Sequence, residues 1–424
     1  MCFRLLAGFG GQLAGAIAEI ARELSACTKR YLTFLLTFVC LTMLAMPVVA
    51  QSFFTSLVVD PAVGVDRGST SRIQSVKKNT GFLTFSNNGA EEIGPYVLGV
   101  GAALPSLLST NDQLDLVAVL AGPADDESRE LLGGGIGYRI KSPETGFTLS
   151  LNGNVSDIRL GAAKSFALGI VGQLSNIALG LRREWETNNF DRVVGGVELI
   201  ARDVHWVALG ATRRDESLRM MRASLMFEQG QPFGFRKRFA ISAIKGFDDF
   251  GASPVNNKLG SAAGVTTNFF RVAAGAEMSL PLSRRFYINA GVIAQWTNDS
   301  LPLSQRCGYQ SNEYARGFDL AYVNGDRCIG SRVELAYNIV LPQPGAKRLS
   351  YSQAYFGLDG GRIMDNSNAI LPAKKDAWSS ISLGVRALHG NFISEVSVTR
   401  VLDQPKGAFE QDETRFWFRS ALKF

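Results

Sequence analysis

The feature that most limits what this chain can become is a period-two alternation of side-chain character. It repeats, broken only by turn residues, from Gly81 to the C-terminus. In Phe269–Leu280, the apolar Phe270, Val272, Ala274, Met278 and Leu280 alternate with Arg271, Glu277 and Ser279. In Arg285–Thr297, Phe286, Ile288, Val292 and Trp296 alternate with Tyr287, Asn289, Gln295 and Thr297. Successive side chains of a strand point to opposite faces, so each segment predicts a strand between two different solvents. About sixteen such segments follow one another, each about ten residues long, the length of a tilted strand crossing a bilayer. A soluble sandwich would use shorter strands around one shared core, and its inner face would not carry full charges. Here the polar parity bears Arg, Glu and Asp and needs a wet lumen, while the other parity suits lipid. A sheet in hydrocarbon must also close, because an open edge leaves backbone groups unpaired. The expected fold is all-β, a transmembrane antiparallel β-barrel of about 16 strands of the outer-membrane type, over residues 80–424. The 44 glycines, some inside strand segments as at Gly133-Gly134-Gly135 and Gly195-Gly196, fit a crowded or strongly curved sheet.

The first fifty residues read differently. Tyr31–Ala50 is an apolar run behind Lys29-Arg30 that exits through Pro47-Val48-Val49-Ala50. That pattern reads as a signal peptide cleaved after Ala50, with a transmembrane anchor as the competing reading. Residues 1–28 carry Leu13, Ile17, Ile20 and Leu24 at helical spacing and read as an over-long translation start or an amphipathic extension. Residues 51–79 are irregular and polar, a linker or plug-like segment. The net charge of +6 is spread along the chain without a basic patch. It argues against nucleic acid and weakly for anionic neighbours such as lipopolysaccharide and outer-membrane lipid. The only histidines, His205 and His389, lie near no Cys pair or carboxylate cluster. Gly133–Gly137 lacks the Gly-Lys-Ser/Thr of a phosphate loop, and Asp125-Asp126-Glu127 reads as a solvated turn. No metal, cofactor or catalytic nucleophile is expected.

Two stretches stand apart. Leu301–Val340 opens with a long polar loop holding Ala315-Arg316-Gly317-Phe318. It passes through Gly325-Asp326-Arg327 into a segment where Val333, Leu335 and Ile339 oppose Arg332, Glu334 and Asn338. Of five Cys, three lie in the leader, and Cys307 and Cys328 lie here. A pair in an exported chain suits a disulfide, closing about twenty residues and worth about 3 kcal/mol in the entropic model; two buried thiols are the other reading. The last segment puts Phe416, Phe418, Leu422 and the terminal Phe424 on one face and Arg415, Trp417, Arg419 and Lys423 on the other.

The loop and the strand after it resemble the sixth extracellular loop of the transporter partners in two-partner secretion, the haemolysin secretion/activation proteins. The family motif is a hydrophobic residue followed by Arg-Gly-Phe or Arg-Gly-Tyr; here Ala315 stands where Val or Ile is usual. Gly325-Asp326-Arg327 also matches. The family's second motif, Phe-x-Asp-x-Gly, is similar to Gly357-Leu358-Asp359-Gly360-Gly361, with Gly at the aromatic site and Phe356 one residue out of place. Phe82–Pro123 resembles the first barrel hairpin and Gly246–Ser253 a mid-barrel turn, so the likeness runs along nearly the whole chain from about residue 80. The terminal Phe424 resembles the signal by which the barrel-assembly machinery recognises and inserts outer-membrane barrels; an amphipathic edge strand ending by chance in Phe is the alternative. The resemblance implies a non-enzymatic polypeptide translocator in the bacterial outer membrane, with a secreted exoprotein as client. It implies that loop 298–328 enters the lumen, with residues 301–328 as plug and gate. Arg316 would pair with Asp359, which parity places inward, as a directional latch. A solvated loop cation is the alternative for Arg316. Gly317 would supply a backbone conformation closed to other residues, and Phe318 would pack the loop tip on the wall. Family members carry two periplasmic polypeptide-transport-associated domains ahead of the barrel, for which residues 51–80 leave no room. A passive porin-like or structural barrel that has lost client recognition is therefore the second expectation.

Overall fold

A computed structural model describes residues 79–424 except 88–93, 123–129, 160–169, 187–190, 231–234, 255–259, 261–264, 309–313, 319–323, 341–349, 367–373 and 406–412. The leader, the linker reading and Asp125-Asp126-Glu127 lie outside the described residues. Among the described residues, sixteen antiparallel strands close into one barrel. The first eight are β1 (Thr80–Ser86), β2 (Val97–Pro105), β3 (Asp112–Ala121), β4 (Leu131–Lys141), β5 (Phe147–Arg159), β6 (Val171–Glu186), β7 (Asp191–Ala208) and β8 (Ala211–Gly230). There follow β9 (Arg236–Phe247), β10 (Phe270–Pro281) and β11 (Phe286–Thr297). Two short strands, β12 (Cys307–Gly308) and β13 (Asn324–Gly325), pair outside the barrel sheet. The barrel resumes with β14 (Arg327–Val340), β15 (Ser350–Asp365), β16 (Lys374–His389), β17 (Phe392–Asp403) and β18 (Thr414–Lys423). Each strand pairs with its sequence neighbour, β11 pairs with β14, and β1 pairs with β18 to close the sheet.

Register carries one parity around the whole wall. Reading across, Gly291 faces Arg332, Arg332 faces Asp359, Asp359 faces Ser380, and Glu395 faces Arg419. On this inner parity Glu334, Asp359, Ser382, Glu395 and Thr399 are buried. The opposite parity exposes Val333, Leu335, Phe356, Leu358, Val398 and Phe416. A continuous apolar exterior around a charged interior is stable only with lipid outside and water or protein inside.

The two ends of the barrel differ. One end has short connections, such as 142–146, 282–285 and 390–391, and also holds the start of β1 and the end of β18. The other has long ones, above all 248–269 and 298–326. Short periplasmic turns and longer extracellular connections are the rule for outer-membrane barrels, which orients this one. The strands overrun the segments that alternation marks. Ser175–Trp185 becomes Val171–Glu186 and Leu218–Glu228 becomes Ala211–Gly230. Beyond the hydrocarbon both faces of a hairpin meet water, so alternation fades while backbone pairing continues, as at Asp203↔Ser217 and His205↔Asp215.

Candidate functional site

The connection between β11 and β14 folds inward, and its motif residues are buried rather than solvated: Tyr314, Ala315, Arg316 and Phe318 are all 4% exposed or less. Arg316 meets the wall through a fork. Its Nε donates to Asp359 Oδ2 at 2.8 Å and its Nη2 to Asp359 Oδ1 at 2.9 Å, while Nη1 donates to Glu334 Oε2 at 3.2 Å. The guanidinium also lies over the Tyr355 ring, 5.3 Å from its centre. Parallel bonds to one carboxylate fix direction as well as distance, which a lysine ammonium could not do. Burial opposes the charge on Arg316, but the hydrogen bonds to Asp359 and the fields of Asp359 and Glu334 outweigh it, so its proton is held more tightly than on a free guanidinium.

Second partners satisfy the carboxylates. Glu334 Oε1 accepts from Asn289 Nδ2 at 3.0 Å and also from Arg386. Arg386 donates in turn to Gln353 Oε1 at 2.7 Å and also lies over the Tyr355 ring, 4.9 Å from its centre. A buried network of this kind holds only if its members are paired, since removing one leaves a costly orphan. Sequence reasoning named Arg316 and Asp359 but missed Glu334, Tyr355, Gly357 and Arg386 as members. Inner parity shared with Asp359 was the available signal for Tyr355 and Gly357.

The two glycines at the contact act through space. A Cβ at Gly357 would stand 2.5 Å from Arg316 Nη2 and 2.8 Å from Ser382 Oγ, so the missing side chain is where the guanidinium sits. The Gly at the aromatic site of the second motif thus makes room, while Tyr355, two residues earlier on the same face, supplies the ring. Gly317 departs from its expected role: its φ is not in the left-handed region. A Cβ there would meet Val401 Cγ2 at 2.9 Å and Ser380 Cβ at 3.0 Å, so close approach of the loop to β16 and β17, not backbone freedom, demands glycine.

Other residues hold the loop's limbs. Phe318 packs edge-on against Trp378, ring centres 6.0 Å apart, within a cluster that includes Cys307, Cys328 and Ile363. Cys307 and Cys328 lie together as a disulfide with Cα atoms 6.4 Å apart, and β12 pairs with β13 beside them. Asp326 is buried and accepts from Leu301 N at 2.9 Å, Asn366 N at 2.9 Å and Arg306 Nε at 3.3 Å, tying both limbs to the following connection. Further round the wall, Arg271 on β10 donates to Gln305 Oε1 at 3.2 Å and Gln295 Oε1 at 2.6 Å, and Arg202 on β7 donates to the Ser304 carbonyl at 3.3 Å. The C-terminal residues Phe416, Phe418, Leu422 and Phe424 fall on the lipid parity, away from this site.

The matching family model is that of the haemolysin secretion/activation protein ShlB/FhaC/HecB, over residues 69–387. No curated protein matches the chain by sequence. Among solved structures, CdiB from Escherichia coli superposes with a TM-score of 0.68 at 17% identity, covering 82% of this chain and 63% of that one. CdiB from Acinetobacter baumannii gives 0.63 at 16%, covering 82% and 60%. BamA from Haemophilus ducreyi lacking POTRA domains 1-3 gives 0.55 at 12%, covering 82% and 70%. The chain thus spans less than two thirds of either CdiB chain. At such identities these likenesses establish the fold, a closed outer-membrane barrel.

Proposed function

The chain belongs to the haemolysin secretion/activation protein family ShlB/FhaC/HecB, and from that premise we propose that it passes an unfolded exoprotein through its barrel to the cell surface, with residues 301–328 as plug and gate. The barrel is the outer-membrane type of the two-partner secretion transporters, and the family is non-enzymatic. The observation that carries the gating reading is the buried fork between Arg316 and Asp359 inside the lumen. A loop held there by directional charge contacts occupies the space a client would cross. It can leave as a unit, because Arg316 is held by the wall side chains Asp359 and Glu334 rather than by the barrel's backbone ladder. In this reading the exoprotein is the cargo, lipopolysaccharide and outer-membrane lipid are the surroundings, and the barrel-assembly machinery inserts the chain through the face ending in Phe424.

Planar-bilayer conductance of the refolded protein tests this. Wild type is expected to dwell closed, with Arg316→Ala and Asp359→Ala shifting to the same more open state. Breaking one side of a buried pair costs about 3–5 kcal/mol, ample to release a loop. A steady open wild-type pore matched by both variants would remove the gate and leave a passive porin-like barrel.

A further inference from the structure

The limb of the inserted connection that leaves β11 sits on the inner wall as a bound peptide would. Leu301, Pro302, Ser304 and Gln305 are buried, and Leu303 is exposed. The Gln305 N–H donates to the Pro302 carbonyl at 2.7 Å, closing one tight turn that Pro302, at φ −52°, presets. Three buried groups of the limb each meet a receiver on the wall. The Leu301 side chain joins an apolar cluster with Ala178, Ile200, Leu218, Met220, Ile244 and Phe269, which come from β6 to β9 and the residue ahead of β10. The Ser304 carbonyl accepts from Arg202 Nη1 at 3.3 Å, and Gln305 Oε1 accepts from Arg271 Nη2 at 3.2 Å. The Gln305 carbonyl accepts from Gln295 Nε2 at 3.1 Å. Wall partners brace these receivers independently of the limb: Arg202 Nε donates to Asn176 Oδ1 at 3.3 Å and Arg271 Nη1 to Gln295 Oε1 at 2.6 Å.

An aliphatic pocket beside fixed donors for a main-chain carbonyl and a carboxamide is chemistry that reads a polypeptide. Opening a gate also needs a ligand that binds the open state better than the closed one. A site that the plug fills when closed and vacates when it leaves has that property, so whatever binds there draws the equilibrium toward opening. We propose that this stretch of wall is a binding site for the exported polypeptide, and that residues 301–305 imitate it. The occupant is a single turn of the client, with an aliphatic side chain in the Leu301 pocket and a glutamine four positions later against Arg271. The inference rests on the translocation reading above and names the sequence chemistry that the lumen selects.

Fluorescence anisotropy of a dye-labelled peptide, Leu-Pro-Leu-Ser-Gln, added to the full chain in detergent tests the site. In wild type the chain's own limb competes for it. Leu301→Ala/Gln305→Ala loosens the limb and leaves the wall intact, so this variant is expected to bind the peptide about tenfold more tightly than wild type. A peptide ending in Ala instead of Gln lacks one buried hydrogen bond and should bind the variant about tenfold more weakly. Equal binding by the two proteins, indifference to the last residue of the peptide, or no binding by the variant overturns the proposal. Heat-modifiable gel mobility reports whether each barrel is folded. Should the double variant fail that check, Gln305→Ala alone carries the test, with a gain of about threefold over wild type expected. The readout is binding and not conductance, so a pore that does not gate and a wall that does not bind peptide give separate results.

Discussion

At the scale of single residues, the lumen contact depends on what Gly357 leaves out as much as on what Arg316 brings. A methyl at position 357 would push on Arg316 Nη2 and on Ser382 Oγ at once. Gly357→Ala is therefore expected to destabilise the folded barrel by about 1–3 kcal/mol, the usual range for overpacking, as read by urea unfolding in detergent. Gly134 is the matched control. It sits on the lipid parity of β4, and the nearest atom to a Cβ there is the Val117 carbonyl oxygen at 3.8 Å. Gly134→Ala should stay within about 0.5 kcal/mol of wild type. Equal losses at the two positions would show that curvature, not the guanidinium, calls for glycine at 357. Arg316→Lys belongs to the same scale. The ammonium can reach Asp359 or Glu334 but cannot form the fork together with the third bond, so lysine should open the pore nearly as far as alanine in conductance recordings. Recovery of the closed state by lysine would mean that charge alone holds the loop.

At the scale of elements, the inserted connection is fastened at places that share no partner. One is the Arg316 fork on β14 and β15; the other is the Arg271–Gln305 and Arg202–Ser304 contact on β10 and β7. Independent anchors predict additivity. Gln305→Ala leaves the Arg271 bond at that end unmade and should cost about 1–3 kcal/mol. Combined with Asp359→Ala, the losses should add within about 0.5 kcal/mol in urea unfolding. A large shortfall would mean that the loop leaves in one step once either anchor goes. The disulfide between Cys307 and Cys328, 21 residues apart, lies at the base of the same element. Mass spectrometry without reductant should find no free thiol at either position, and two alkylated cysteines would exclude the bridge. This element also shows what the sequence could and could not reveal. Strand existence and inward parity were legible for Glu334 and Asp359 because lipid and lumen impose period two on the wall. Which groups Arg386, Gln295 and Gln305 would bond was not, since what joins them is barrel curvature and the path of an irregular loop, neither of which has a period. Gly317 was assigned the wrong reason, because a need for space and a need for a left-handed φ put the same letter in a sequence.

At the scale of the whole molecule, the closing seam is the shortest barrel-wall pairing among the described residues. The β1–β18 register spans Phe82↔Lys423 to Ser86↔Arg419, against Ser350↔His389 to Asp365↔Lys374 for β15–β16. Its ends are reinforced. Gly81 and Phe424 exchange backbone hydrogen bonds at 2.7 and 3.0 Å, and the Asn87 side chain bonds Phe416 O at 2.9 Å and Phe418 N at 2.6 Å. The Phe424 ring occupies the space a Cβ on Gly81 would take. A terminal aromatic residue here can serve two ends, recognition by the assembly machinery or clamping of the seam, and two substitutions separate them. Phe424→Ala removes both. Gly81→Leu evicts the ring from the seam but leaves Phe424 on the chain. If Phe424 acts in recognition, insertion into proteoliposomes carrying the assembly machinery should slow for Phe424→Ala and stay near wild type for Gly81→Leu. Hydrogen exchange at β1 should then quicken in both, because a short pairing loses a larger share of its protection when one end frays. If both variants insert equally slowly, the terminal Phe works by closing the barrel, and the resemblance of this C-terminus to an insertion signal follows from the geometry of the seam.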